Sequence, residues 1–276
     1  MSWLERFAHR DSRHDSGSTV ADQMAAALGA AEQDDYASAL ALWEPLAHAG
    51  VARAQNNIGA CFAEGLGVAR NAELAFRWLS LAAEAGDAVG QRNLAALYLK
   101  GDGVTQDHGQ AAKLYRAAAR QGDGAAQDML SWLLLQGEGV VANPTEAYRW
   151  ALAAAEQGVA AAMTRLGMLY HDALGVARDP LQAAEWWRRG AERGDADGQA
   201  MLGAAYYLGS GMPRDLVAAY AWLLRAQSGG SLLAATYLAS VRASLSAEEI
   251  AAAERHAAAP LPQLQTQAQP LSRSQP

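Results

Sequence analysis

The sequence predicts an all-α protein, a solenoid built from 36-residue helix-turn-helix repeats. Three observations support this fold class. A glycine-containing turn motif recurs every 36 residues, an Asn or Asp follows each copy at a fixed distance, and a further glycine closes each unit. A constant period of this length is typical of helical arrays, in which each unit is one helix pair. We call the first helix of each pair helix A and the second helix B.

Composition supports a helical protein and excludes several classes of partner. Hydrophobic residues make up 51% of the 276 residues, and alanine, the strongest helix former, contributes much of that fraction. The net charge of −7 argues against a nucleic-acid-binding or anionic-membrane surface, since either needs a basic face. A single cysteine excludes an internal disulfide and a CxxC metal site. Neither a transmembrane run nor a secretory signal is found, so we expect a soluble, cytoplasmic protein.

The turn motif, which we call the hook, has the form GxGV, with Met212 in place of the valine in the fifth copy, and joins helix A to helix B. Its five copies occupy residues 65–68, 101–104, 137–140, 173–176 and 209–212. We expect the first glycine to end helix A in a left-handed conformation and the second to let the chain reverse. Ala173 replaces the first glycine in the fourth copy, so we expect a different turn there. A phosphate-binding loop would need a preceding strand, so we interpret the hook as architectural.

Helix B is predicted to begin behind a side chain that caps its first backbone N–H groups. These caps are Asn71, Asp107, Asn143, Asp179 and Asp215. Proline follows the cap directly at Pro144 and Pro180, where a missing N–H costs nothing. Four tryptophans share one register on helix B and are expected to pack between repeats: Trp78, Trp150, Trp186 and Trp222. Trp187 lies outside that register and is expected to be partly exposed, whereas Cys61 is expected to be buried.

The repeated pattern AQxxLGxxYxxGxGVxxDxxxAxxWxxxAAxxG, seen first as AQNNIGACFAEGLGVARNAELAFRWLSLAAEAG, resembles the Sel-one-like repeat, a relative of the tetratricopeptide repeat. The resemblance covers five units, from about residue 51 to residue 230. It implies a right-handed α/α superhelix that serves as a protein-interaction scaffold, often in bacteria, and it implies no single activity. Cysteine-rich members brace each repeat with a disulfide that this chain lacks, so the catalytic or penicillin-binding activity of that branch is not carried over.

The repeats predict a flexible segment at 1–19, a solenoid at 20–258 and a disordered tail at 259–276. Within the solenoid we expect an N-terminal helix pair, five repeats and C-terminal capping helices at 20–50, 51–86, 87–122, 123–158, 159–194, 195–230 and 231–258. The segment WLERF, residues 3–7, places Trp3, Leu4 and Phe7 on one helical face. It is interpreted as a partner-docking helix, a weak membrane contact or a frayed tail.

In the tetratricopeptide class helix A lines the concave face, and this resemblance implies a partner-binding groove. Its expected members are Asn56, Asn57, Arg92, Asn93, Leu99, Asp128, Trp132, Leu135, Thr164, Arg165, Met168, His171 and Tyr207. Asn57, Asn93 and Arg165 stand where that class often holds a peptide backbone or carboxylate. Aromatic and Met side chains beside arginines have the composition of an interface hot spot. The alternative is that some of these residues pack against the next helix.

We therefore expect a non-enzymatic scaffold that binds a protein or peptide segment, and no cofactor. The alternatives are a regulatory or immunity-type protein that neutralises a partner, and an envelope or host-facing protein that binds or hydrolyses a ligand. His171 and Asp172 could form a base with its orienting carboxylate, but no nucleophile accompanies them. The six histidines form neither HExxH nor an i, i+4 pair, so no metal site is expected.

Overall fold

The computed structural model describes residues 18–261, and all fourteen regular elements in that range are α-helices. By its internal contacts the chain divides into two compact units between Gln106 and Asp107. The WLERF segment and the tail beyond residue 261, for which docking and disorder were expected, lie outside the described residues. The all-α prediction is confirmed for the residues that are described.

The first unit contains five helices, and each packs against the next along the chain. They are α1 (Val20–Ala31), α2 (Tyr36–His48), α3 (Ala52–Glu64), α4 (Ala72–Glu84) and α5 (Ala88–Lys100). The helices α3 and α5 are successive A helices, and they also contact each other directly. The A helices of this unit therefore lie side by side.

The second unit contains nine helices, and each of the first seven packs against the next along the chain. They are α6 (His108–Arg120), α7 (Gly124–Gln136), α8 (Pro144–Glu156), α9 (Ala160–Asp172), α10 (Pro180–Glu192), α11 (Ala196–Leu208), α12 (Leu216–Ser228), α13 (Ala235–Ala243) and α14 (Ala247–Ala258). The A helices α9 and α11 contact each other, and both α13 and α14 pack on α12. A capping box begins α14, in which Ser246 and Glu249 are bonded reciprocally.

The hook ends helix A as predicted. Gly137 has a φ of +73° and its N–H bonds to the carbonyl of Leu133. The expectation of a different turn at Ala173 is wrong, because Ala173 adopts the same left-handed conformation with a φ of +58°. The fourth hook keeps the same turn because the second glycine of each hook packs closely against another helix. A Cβ on Gly139 would lie 2.2 Å from the carbonyl carbon and oxygen of His108, so the hook packs directly on the first turn of the preceding helix B.

All five predicted caps of helix B are confirmed. Each carboxylate or amide oxygen accepts a bond from the backbone N–H three residues later, at 2.9–3.1 Å. Three A helices are capped in the same way by Asp87, Asp123 and Asp195, which the sequence reasoning missed. The signal was visible in the sequence, because each of these aspartates follows a closing glycine directly.

The prediction for the tryptophans is only partly right. Trp78 and Trp186 are buried, whereas Trp150 and Trp222 are half-buried. Trp187 is only 3% exposed, so the expectation that it reaches solvent is wrong. The reason lies on α9: a Cβ on Gly167 would lie 2.3 Å from the Trp187 indole, so the missing side chain makes room for the ring. Cys61 is buried as predicted.

A glutamine on helix A links successive repeats by a bond that the sequence reasoning did not identify. The side-chain amides of Gln55, Gln91, Gln127 and Gln199 each donate to the backbone carbonyl eight residues earlier, at the end of the preceding helix B. In the fourth repeat Met163 stands at this position and is buried among apolar residues. The bond satisfies carbonyl groups that a helix end leaves without an intrahelical partner.

Candidate functional site

The A helices of the first unit carry a cluster of three asparagine amides. Asn93 on α5 donates from Nδ2 to Oδ1 of Asn56 on α3 at 2.8 Å, and Asn56 donates in turn to Asn57 Oδ1 at 3.1 Å. The buried Nδ2 of Asn57 has no hydrogen-bond partner among the residues that the structure describes. The cluster therefore joins two repeats and keeps one spare amide donor. Arg92 and Leu99 are half-buried on the same helix as Asn93.

The second unit has a charged pair at the position equivalent to the asparagine bond. Arg165 on α9 donates from Nε and from a terminal nitrogen to the two oxygens of Asp128 on α7, at 3.0 and 3.3 Å. The two side chains are only 12% and 10% exposed. A bidentate contact of this kind is among the stronger ion pairs. The carboxylate that Arg165 was expected to take from a partner is thus supplied from within the chain.

Three of the residues expected to line the groove are buried, and that part of the prediction needs correction. Asn56, Asp128 and Thr164 are covered and bonded to neighbouring repeats. The hydroxyl of Thr164 donates to Oδ2 of Asp195 at 2.6 Å, which ties it to the cap of α11. A polar group that is buried needs a partner to offset its desolvation, and these three find it inside the protein. They connect repeats and do not form an open surface.

The remaining predicted residues of the second unit form a partly exposed row on the A helices. Trp132 and Met168 occupy equivalent positions of α7 and α9, and Leu135, His171 and Tyr207 occupy equivalent positions of α7, α9 and α11. All five are half-buried. Equivalent positions of successive repeats share one face, so these side chains present an apolar and aromatic strip. We call this strip the A-helix face.

Two members of the A-helix face are oriented by neighbours. The Tyr207 ring meets Tyr237 edge-on with centroids 6.1 Å apart, and the Arg214 guanidinium lies 5.6 Å above the same ring. His171 Nδ1 lies 2.7 Å from Asp172 Oδ1, and its ring centroid lies 5.5 Å from that of Trp187. These contacts restrict the rotamers of both side chains, which lowers the entropy lost when a partner binds.

Other kinds of site find little support in the described residues. No cluster of three or more His, Cys, Asp or Glu side chains suited to a metal ion occurs between residues 18 and 261. Burial raises the pKa of the Cys61 thiol to about 11, so this cysteine is not a thiolate at neutral pH. Across the same range, no helix has both the length and the apolar character needed to cross a membrane.

Comparisons with known proteins agree with the repeat pattern. The family model described as Sel1 repeat matches the chain at residues 52–87, 88–123, 124–159, 160–195 and 196–231. No curated protein matches the chain. The chain is similar to the crystal structure of a Sel1 repeat protein from Oxalobacter formigenes, with 30% identity and a TM-score of 0.76 over 90% of this chain and 99% of that one.

Two further solved structures show lower structural similarity. One is c5321, a protective antigen of uropathogenic Escherichia coli strains with an SLR fold, at 27% identity and a TM-score of 0.39 over 86% of this chain and 67% of that chain. The other is a putative sel1 repeat protein from Klebsiella pneumoniae subsp. pneumoniae, at 19% identity and a TM-score of 0.48 over 72% and 97%.

Proposed function

The chain belongs to the Sel1 repeat family, whose members are in general protein–protein interaction scaffolds, and we propose that it binds an apolar segment of a partner protein on its A-helix face. The observation that carries this proposal is the strip itself. Trp132, Met168 and Tyr207 are large, partly exposed and placed on three successive A helices. Aromatic side chains of this kind supply most of the binding energy in protein interfaces.

The chemistry of the partner segment follows from the polar groups around the strip. The charge of Arg165 is neutralised by Asp128, so we assign Arg165 a supporting role and not the capture of a partner carboxylate. Two exposed cations border the strip: Arg214, which lies above the Tyr207 ring, and Arg178, whose Nε donates to the carbonyl of His171. We therefore infer a mainly apolar segment with acidic groups near Tyr207 or His171.

In the first unit the asparagine cluster joins two repeats. Asn93 holds Asn56 and, through it, Asn57 in place. The Nδ2 atom of Asn57 is itself covered, so a bound segment would not reach it in this conformation. We therefore assign Asn57 and Asn93 a supporting role and the binding contacts to the strip of the second unit.

The test begins with capture of the partner by the intact chain and identification by mass spectrometry. Trp132→Ala is expected to weaken binding of that partner by about 2 kcal/mol or more, a roughly 30-fold change. Leu181→Ala is the matched control, since Leu181 is an exposed apolar residue on helix B, outside the A-helix face. Calorimetric titration and a melting curve are measured for both variants. If the captured protein binds Trp132→Ala and Tyr207→Ala with wild-type affinity, the proposal fails.

The regulatory or immunity-type alternative is decided by the same captured partner. A scaffold leaves the activity of its partner in place, whereas a neutralising protein abolishes it, so the activity of the partner is assayed with and without one equivalent of the chain. The envelope or host-facing alternative requires export, and cell fractionation tests it. Three statements remain predictions from the sequence: the cytoplasmic location, the bacterial source and the bounds of the seven segments of the solenoid.

A further inference from the structure

The helix α6 carries a concentration of positive charge in an acidic protein. The chain has a net charge of −7, yet α6 contains Lys113, Arg116 and Arg120 and no Asp or Glu. These three positions lie within about 60° of one another around a helix of 3.6 residues per turn, so they share one side of α6. Among the helices that the structure describes, no other has so large a net charge.

Two of these cations have no internal partner. Lys113 and Arg120 are exposed, and neither forms an ion pair with another residue in the part of the chain that the structure describes. Arg116 pairs with Glu146 on α8 at 3.2 Å. The exposed Arg149, also on α8, stands 36 residues after Lys113, and equivalent positions of successive repeats share one face. We call the surface formed by these four cations the basic face.

An aromatic ring borders the basic face. Oε1 of Glu146 accepts a bond from Nε1 of Trp150 at 3.2 Å and lies 3.2 Å from a terminal nitrogen of Arg116. Because both donors meet one oxygen atom, the half-buried indole lies beside the Arg116 guanidinium. Tryptophan and arginine together are enriched where proteins bind other proteins. The carboxylates of α8, Glu146 and Glu156, still leave two cations in excess.

The helix α10, another helix B of the same unit, shows how arginines are arranged when they serve only the fold. Arg188 and Arg189 both pair with Glu185 within the helix. The Arg189 guanidinium also lies 4.9 Å above the Trp186 ring, so its charge is used inside the protein. The helix α6 has no carboxylate that could neutralise Lys113 and Arg120 in this way.

We propose that the basic face binds an acidic segment of a partner protein. Lys113 and Arg120 are seven residues apart, which is about 10 Å along a helix, so the segment carries at least two carboxylates separated by about that distance. A nucleic acid fits less well, because its binding surfaces belong to basic domains and this chain has a pI of about 5.4. The basic face lies on helices B and the A-helix face on helices A, so either proposal can fail without the other.

The experiment uses the intact chain and poly-L-glutamate as the acidic probe. Titration followed by NMR is expected to give saturable shifts at the amides of Lys113, Arg120 and Arg149 and at the indole N–H of Trp150. Binding is expected to weaken when salt is raised from about 0.1 M to about 1 M, because ions screen exposed charge pairs. Absence of saturable shifts at these positions would overturn the proposal. Tighter binding of polythymidylate at the same positions would overturn it as well, because the face would then be suited to a nucleic acid.

Two double variants with the same change in net charge separate binding at the basic face from general attraction. Lys113→Gln combined with Arg120→Gln removes the two unpaired cations and is expected to weaken binding of poly-L-glutamate about five-fold, the combined effect of two exposed charge pairs. Arg188→Gln combined with Arg193→Gln removes two cations from α10 and its C-terminal end and is expected to leave the affinity unchanged. All four side chains are exposed, so both variants are expected to keep the circular dichroism spectrum of the wild type. An equal loss of affinity in the two variants, or no loss in the first, would refute the proposal.

Discussion

Two glycines of the third hook allow a direct test of how the repeat is held together. Gly137 and Gly139 have nearly the same backbone conformation, with φ values of +73° and +70°. They differ in the space around them. A Cβ on Gly137 would meet its nearest atom, the Cβ of Ala142, at 3.4 Å, whereas a Cβ on Gly139 would lie 2.2 Å from the backbone of His108. Both substitutions, Gly137→Ala and Gly139→Ala, therefore incur the free-energy cost of a left-handed conformation, but only Gly139→Ala also incurs the cost of a steric clash.

The shared cost is the left-handed conformation, about 1–2 kcal/mol for an L-residue, reduced by the lower entropy of the unfolded chain, about 0.4–1 kcal/mol. We expect Gly137→Ala to cost about 1 kcal/mol in total. Gly139→Ala must in addition push the hook away from α6, and overpacking adds about 1–3 kcal/mol. The expected cost of Gly139→Ala is about 2–4 kcal/mol. The fourth repeat supports a larger cost at the second hook position than at the first, because it has alanine at the first position and keeps glycine at the second.

The free energy of unfolding is measured by urea titration and the melting temperature by circular dichroism. A difference of 1 kcal/mol corresponds to about 2–4 °C for a unit of this size. Gly139→Ala is therefore expected to melt at least about 2 °C below Gly137→Ala. Equal melting temperatures for the two variants would show that the contact between the hook and α6 does not contribute to stability, and the packing argument would be wrong.

Three further outcomes are expected. Ala173→Gly should stabilise the protein by about 0.5–1 kcal/mol in urea titrations, because glycine removes the left-handed strain; a loss of stability would contradict this. Cys61 should not react with a thiol reagent at pH 8 until urea unfolds the chain, because it is 2% exposed and its pKa is raised to about 11; rapid labelling of the native protein would disprove its burial. Asp128→Ala should cost about 3 kcal/mol, because it leaves the Arg165 charge covered and unpaired, and replacement of both residues by leucine should recover much of the loss; a neutral single substitution would mean that the pair is solvated.

The helix boundaries were predictable because each depends on a few neighbouring residues. Asn143 caps α8 through a bond to an N–H three residues away, and Pro144 fixes the first helical position. Gly137 supplies the positive φ that ends α7. An interaction between residues three or four positions apart depends on the local sequence, so a repeated local pattern is enough to predict where it occurs. The missed caps of the A helices obey the same rule.

Burial was harder to predict because it depends on a residue in another helix. Trp187 was expected to be partly exposed from its place on α10, but the space for its ring is provided by Gly167 on α9. Arg165 was expected to meet a partner, but Asp128 lies 37 residues earlier in the chain and takes both of its hydrogen bonds. Neither contact can be predicted from one helix alone, since helical periodicity predicts which face of a helix is buried but not which residues of other helices cover that face.

The sequence by itself determined the repeat period, the helical class, the caps and the glycine turns, because backbone conformation and capping are local properties of a few residues. Only the tertiary structure decided which side chains of helix A bond between repeats and which remain partly exposed in the A-helix face. Those features depend on the sizes and charges of residues about 20 to 40 positions apart, such as Tyr148 and Tyr170, or Asp128 and Arg165. The physical reason is that an aromatic contact or an ion pair involves two helices. Whether it forms depends on how packing places those two helices relative to each other.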